Sequence, residues 1–258
     1  MKFLLETSPS ITPDTATVMD MINQINWFND NQILWRGISI EEIKGYENDW
    51  IPVGSVNFIE NYMRLHCNKP RITPIQIPTS LQNPDFLWRE IGFVNSTNKL
   101  YAKNQLIHFA EAITTSSSDR VFVKDMTGIK KGDFTDIYRV DELHNLPAVN
   151  SYFISEYVDI LSECRVFVFH GRPIAMRNYS GDPWLVPDRE VTEKMIETYE
   201  KCQATPPAYV LDVALLENGM TALIEVQNFL ACGLYGWEDI RIPKMIYEAF
   251  KYECKPES

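Results

Sequence analysis

One stretch, from Tyr209 to Asn228, restricts the fold of this chain more than any other: Y-V-L-D-V-A-L-L-E-N-G-M-T-A-L-I-E-V-Q-N. Two apolar runs rich in β-branched residues flank Asn218-Gly219, a dipeptide suited to a tight hairpin turn in which both central residues take φ > 0. Asp212 stands near the start of the first run, Glu225 near the end of the second, and Gln227 two residues beyond it. In an antiparallel pair these three positions fall at the same open end, and the period of two puts Glu225 and Gln227 on one face of their strand. Two carboxylates and an amide oxygen converging on one face suit a hard divalent cation such as Mg²⁺. The same residues also suit an ordinary polar surface hairpin, and the stretch alone leaves both readings open.

Charge and cysteine usage narrow the class. The net charge of −11 argues against duplex nucleic acid or an anionic membrane as a main partner, since both select for basic surfaces. Cys67, Cys164, Cys202, Cys232 and Cys254 are odd in number and widely spaced, with no C-x-x-C pair. That pattern favours free thiols over a disulfide frame or a zinc site. The opening M-K-F-L-L-E-T-S-P-S turns acidic too soon for a signal peptide, and no apolar run approaches the ~18 residues of a membrane helix. A soluble, cytoplasmic protein is expected.

Read in order, the chain begins with a short strand at Phe3-Leu4-Leu5, then a helix opened by Thr12-Pro13-Asp14, with Thr as N-cap, Pro at the first helical position and Asp where the helix dipole favours negative charge. Ile33-Leu34-Trp35 and Trp50 to Val56 read as strands and Phe58 to Leu65 as a helix, a small α/β unit over about the first 90 residues. The proline-bearing run from Pro70 to Pro84 reads as an irregular connection, and a helix is expected to start near Ser96-Thr97-Asn98. Arg120 to Lys124, Tyr152 to Val158, Arg165 to Phe169 and Pro173 to Tyr179 read as strands, the last two turning at His170-Gly171. Glu190 to Cys202 and Ile240 to Tyr252 read as amphipathic helices on either side of the hairpin. Strands cluster with strands and helices fall between the clusters, so the fold class is mixed α+β.

Several residues outside the hairpin carry chemistry. Lys124 closes an apolar strand before the loop D-M-T-G-I-K-K-G-D-F; a lysine there can reach a phosphate that the glycines let the backbone approach, or can simply be solvated. The loop does not match the Walker pattern. The stretch S-E-Y-V-D before E-C-R-V-F-V can meet a purine edge with its backbone and a ribose with a carboxylate. Arg165 and Arg177 alternate with apolar residues on adjoining strands, so both can point into one cleft and bind phosphate or carboxylate. His66, His108, His144 and His170 form no metal or catalytic cluster, and no nucleophile motif is present. Tyr179, Trp184 and Trp237 can line a pocket, although aromatic residues beside glycine and proline are more often packing.

Taken together, a lysine-bearing helix followed by V-F-V-K, S-E-Y-V, E-C-R-V-F-V, G-R-P-I-A-M-R, L-D-V-A and I-E-V-Q-N resembles the ATP-grasp superfamily over about Asn98 to Tyr235. The resemblance implies a small N-terminal α/β domain (1–95) and an ATP-grasp domain (96–258), the latter split into subdomains 96–151 and 152–258 that hold ATP between antiparallel sheets. Lys99 and Lys124 resemble the ATP-phosphate lysines, Glu156, Tyr157 and Val158 the adenine hinge, and Asp159 or Glu163 the ribose acid. Arg165 and Arg177 are similar to the arginines near the triphosphate and acyl-phosphate, and Asp212, Glu225 and Gln227 to the Mg²⁺ ligands. The family usually has Asn at the position of Gln227, so either Gln227 ligates a shifted metal or Asn228 substitutes. Val210 stands where an arginine is often found. The implied activity is an ATP- and Mg²⁺-dependent carboxylate–amine ligase working through an acyl-phosphate, with an unidentified acid and amine, small molecule or peptide, as partners. Relatives that are dimers leave room for a homodimer. The alternatives are a phosphotransferase on the same fold and a non-catalytic ATP-binding module.

Overall fold

The computed structural model describes residues 1–29, 32–73, 75, 91–95, 110–111, 119–125, 136–147, 151–201 and 205–255. Its contacts divide the chain into two compact units, one made of Met1–Phe86 with Ile160–Ser258 and the other of Leu87–Asp159.

The first unit contains two sheets. Strands β1 (Lys2–Glu6), β2 (Leu34–Ile38) and β3 (Ile51–Val53) form a parallel sheet in the order β2-β1-β3. Helix α1 (Pro13–Phe28) starts as its sequence dictates: Thr12 Oγ1 accepts the Thr15 N–H at 3.1 Å, Pro13 opens the helix and Asp14 lies in the first turn. Its Val18, Met21 and Ile22 are buried. The third strand ends earlier than the expected Val56, because Ser55 caps helix α2 (Val56–His66) by accepting the Phe58 N–H at 3.2 Å. A serine two residues past a valine satisfies an orphan amide better at a helix start than in a strand.

The second sheet of this unit is antiparallel, in the order β11-β10-β8-β9, from β8 (Ile160–Phe169), β9 (Arg172–Gly181), β10 (Ala208–Leu216) and β11 (Thr221–Asn228). Its two hairpins turn differently. His170 and Gly171 join β8 to β9 with φ of 50° and 69°, both in the left-handed region of a two-residue turn. Between β10 and β11, by contrast, only Gly219 has positive φ, at 82°. The Gly219 N–H donates to Leu216 O at 2.9 Å and the Leu216 N–H to Met220 O at 2.8 Å, the three-residue loop in which a turn is followed by a left-handed glycine. The expectation of φ > 0 at Asn218 is therefore corrected. Helix α3 (Arg189–Glu200), capped by Asp188, buries Met195, Ile196 and Tyr199, and the Tyr199 ring packs 4.7 Å from that of Tyr209 on β10. Phe167, Ala208 and Val210 join a continuous core with Phe3, Leu4, Leu5, the inner face of α2, Trp237 and helix α4 (Ile242–Glu253).

The second unit is built on an antiparallel sheet in the order β4-β7-β5-β6, from β4 (Ile91–Asn95), β5 (Arg120–Asp125), β6 (Asp136–Arg139) and β7 (Ser151–Glu156). Val121, Val123, Leu143, Leu146, Tyr152, Ile154 and Ala110 form its buried cluster. Among the described residues no helix is long and apolar enough to cross a membrane.

Candidate active site

Register across the antiparallel sheet of the first unit brings four of the expected residues into one transverse row. Glu225 on β11 pairs with Asp212 on β10, Asp212 with Arg165 on β8, and Arg165 with Arg177 on β9. Directly paired residues project from the same side of a sheet, so the row reads acid, acid, arginine, arginine. A bulge at Asp212/Val213 absorbs one extra residue on β11, since Val213 pairs with Leu223. One step along, Gln227 pairs with Val210.

The centre of the row is closed. Arg165 and Asp212 are each 3% exposed, and the guanidinium grips both carboxylate oxygens, Nε to Oδ1 at 2.8 Å and Nη2 to Oδ2 at 2.7 Å. Nη2 also donates to Gln227 Oε1 at 3.1 Å and Nη1 to the Gly233 carbonyl at 3.0 Å. Burial works against the charge on Arg165, but its bonds to Asp212 outweigh burial and hold the guanidinium above its ordinary value. The ring of Tyr235 lies 4.8 Å from the guanidinium carbon and that of Tyr179 5.8 Å away, the two rings stacking at 4.9 Å. Burial first, then the nearby Asp212 and Glu163 carboxylates, push the Tyr179 phenol well above its ordinary range. Asp14, in the first turn of α1, approaches Gly233 and Cys232.

The ends of the row are more open. Glu225 is half-buried, and Arg177 is exposed with no ion-pair partner among the described residues. Asn228, the alternative to Gln227, makes a different set of contacts. Its Oδ1 accepts the Leu230 N–H at 3.0 Å, and its Nδ2 donates to Glu253 Oε2 at 2.9 Å.

The other expected residues belong to the second unit or lie elsewhere. Lys124 stands on β5 opposite Phe153, and Glu156 on β7 opposite Val121. Tyr157, Val158 and Asp159 form the connection that ends the second unit. The Tyr157 ring lies under the Arg120 guanidinium at 4.1 Å, and its hydroxyl donates to Asp159 at 2.5 Å; that bond raises the Tyr157 phenol. Lys99 lies outside the described residues, as do the expected helix starting near Ser96 and the loop after Asp125. His170 is a turn residue whose Nε2 meets Glu248 at 2.9 Å. Trp237 is packing, its ring 4.2 Å from Phe167, and Trp184 is exposed.

The donor set fits a hard divalent cation. A carboxylate has about four lone-pair sites and Arg165 takes two of those on Asp212, which leaves lone pairs beside the Glu225 carboxylate and the Gln227 amide oxygen. No group of three His, Cys, Asp or Glu able to hold a metal ion occurs among the described residues; here the third donor is an amide. Gly233 and Tyr235, which brace Arg165, escaped the sequence reading. Their signal is the run C-G-L-Y-G that follows the hairpin, glycines around an aromatic residue immediately after a site strand.

A family model described as ATP-grasp domain, R2K clade family 2, matches residues 101–245, more than half of the chain. Among curated proteins no sequence matches. Solved structures similar to this one include D-cycloserine synthetase DcsG, with a TM-score of 0.58 and 11% identity over 97% of this chain and 98% of that one. The macrocyclase MdnC bound with precursor peptide MdnA from Microcystis aeruginosa MRC is similar at a TM-score of 0.56 and 11% identity, covering 96% and 98%. D-alanine–D-alanine ligase from Bacillus anthracis is similar at a TM-score of 0.50 and 10% identity, covering 97% and 96%. The α+β fold described above is the ATP-grasp fold.

Proposed function

We propose, on the premise that this chain belongs to the ATP-grasp domain family, R2K clade family 2, that it is an ATP- and Mg²⁺-dependent carboxylate–amine ligase acting through an acyl-phosphate. The observation that carries the reading is the transverse row Glu225–Asp212–Arg165–Arg177, with Gln227 one step along. Such a row sets metal-type oxygen donors beside guanidinium groups on one sheet face, the arrangement a triphosphate and a developing acyl-phosphate require.

In this mechanism Asp212, Glu225 and Gln227 would hold Mg²⁺, which would supply neutralisation of phosphate charge. Arg165 acts by position: it fixes the Asp212 carboxylate and the Gln227 amide at one orientation each. Arg177, at the exposed end, meets the transferring phosphoryl group and the substrate carboxylate bidentately. Lys99 and Lys124 bind ATP phosphates. Tyr157 and Val158, with the backbone at Glu156, meet the adenine, and Asp159 or Glu163 accepts from the ribose. The carboxylate attacks the γ-phosphate, ADP leaves, and the amine then displaces phosphate from the acyl carbon. Positioning and charge neutralisation supply the rate, with no protein nucleophile. DcsG, MdnC and the D-alanine ligase, as their names describe them, join or cyclise small molecules or peptides, which supports an acid and an amine of small-molecule or peptide size.

The test is product analysis in a screen of acids and amines with Mg-ATP. A ligase makes ADP and phosphate in step with an amide, and only when both an acid and an amine are present. A phosphorylated hydroxyl or released pyrophosphate would point to the phosphotransferase instead, and Mg-dependent ATP binding without turnover across the screen to a binding module.

A further inference from the structure

Two cysteines far apart in the chain meet at the ends of two helices. Cys67 closes α2, its N–H donating to Met63 O at 2.8 Å, and Cys254 closes α4, its N–H donating to Phe250 O at 3.0 Å. Both are half-exposed, Lys69 ties the two helix ends together by donating to the Glu253 carbonyl at 3.1 Å, and both cysteines line an open cavity of about 570 Å³ together with Arg64, His66, Lys251 and Lys255. The other described cysteines sit differently. Cys164 is buried within β8 and its thiol is pushed up by burial, and Cys232 is pushed up to about 12 by burial.

We propose that Cys67 and Cys254 form a redox-active dithiol, a modification site at which a small two-electron oxidant such as hydrogen peroxide closes a reversible disulfide between α2 and α4. Three features support it. The cavity admits a small oxidant. Its cationic rim stabilises an anion at the thiol that ionises, and the second thiol lines the same cavity. The Cys254 S–H, followed by Lys251 and Lys69, lowers the Cys67 thiol against the opposing effect of burial, while Cys254 is raised by the same bond. Cys67, two residues from Lys69 and lining the cavity with Lys251, is assigned as the attacking thiolate. Its sulfur attacks one peroxide oxygen, the O–O bond breaks, and a proton converts the departing hydroxide to water. Cys254 then attacks the resulting sulfenic sulfur, the S–O bond breaks, and a second water leaves with the Cys254 proton. Two thiols are oxidised and one peroxide is reduced.

The pair also has a structural address. Cys254 follows Glu253, whose buried carboxylate holds Asn228 Nδ2 at 2.9 Å, the Thr73 N–H at 2.7 Å and Lys69 at 2.8 Å. A disulfide there fastens the end of α4 one residue from the group that anchors the end of β11.

The experiment treats the full chain with hydrogen peroxide, then counts thiols under denaturing conditions with a maleimide mass tag and maps crosslinked peptides with and without dithiothreitol. The expected result is a fall from five tagged thiols to three, restored by dithiothreitol, with a peptide joining Cys67 to Cys254. In Cys254→Ser a sulfenic-acid trap should label Cys67, and in Cys67→Ser it should leave Cys254 unlabelled. Five thiols surviving peroxide treatment of the wild-type protein, or a crosslink mapped to another pair, would overturn the proposal. Labelling of Cys254 in Cys67→Ser in preference to Cys67 in Cys254→Ser would overturn the assignment of the attacking thiol.

Discussion

The centre and the ends of one row on one sheet have been put to different uses. At the centre, Arg165 and Asp212 are buried and satisfy each other with two hydrogen bonds, and Gly233 and Tyr235 close around them. At the ends, Glu225 is half-buried and Arg177 exposed. A charge removed from water and fully paired is an orienting device, costly to break and slow to move. A charge left near solvent, as on Arg177, remains available to a ligand. The difference teaches that two arginines opposite each other on neighbouring strands can stand in different surroundings, one buried in an ion pair and one exposed.

This contrast can be broken most forcefully at its centre. Arg165→Ala leaves the Asp212 carboxylate buried without its partner, and removal of one member of such a pair costs about 3–5 kcal/mol. Chemical denaturation should show that loss; a change below about 1 kcal/mol would mean that Arg165 is not the anchor. Arg177→Ala should do the reverse. As an exposed side chain it should leave stability within about 0.5 kcal/mol, while turnover falls by roughly 10²–10³-fold, as for a lost transition-state donor, and ATP affinity changes far less. Unchanged turnover would remove Arg177 from the chemistry.

A smaller effect concerns the anchor of β11. Burial raises the Glu253 carboxyl, but bonds from Lys69 and Thr73 outweigh it and hold the group below its ordinary value of 4.5. A depressed folded value contributes stability above the unfolded pKa that is lost as pH falls through the folded one. Acid titration of stability should therefore be steeper below about pH 4.5 in the wild type than in Glu253→Gln, and equal slopes would contradict the assignment. The smallest effect is expected at Gln227→Asn. The shorter arm gives up the 3.1 Å contact from Arg165, worth about 1 kcal/mol, while it restores the amide usual in the resemblance; Mg-ATP affinity should shift by less than about tenfold.

Much of this was legible because the signals are local. Thr12-Pro13-Asp14 starts α1 where it should, His170-Gly171 makes its turn, and the spacing of Asp212, Glu225 and Gln227 lands them on facing strands. Ser55 misled, because a cap and a strand end share the same polar punctuation. Asn218-Gly219 suits more than one turn type, and the choice falls to the bulge that lets Val213 meet Leu223. The grip of Arg165 on Asp212 was out of reach of local reasoning. The two are 47 residues apart, and nothing near either one announces which strand will lie beside it or that the pair will be buried.

The central claim is that Glu225, at the open end of the acid side, helps hold a metal that ATP needs. Isothermal titration calorimetry of ATP with and without Mg²⁺, on the wild type and on Glu225→Ala, tests it most directly. The account predicts Mg²⁺-dependent binding in the wild type, and at least a tenfold loss of affinity in Glu225→Ala with the fold intact by circular dichroism. Binding of equal strength with or without Mg²⁺, and with or without the Glu225 carboxylate, would contradict it.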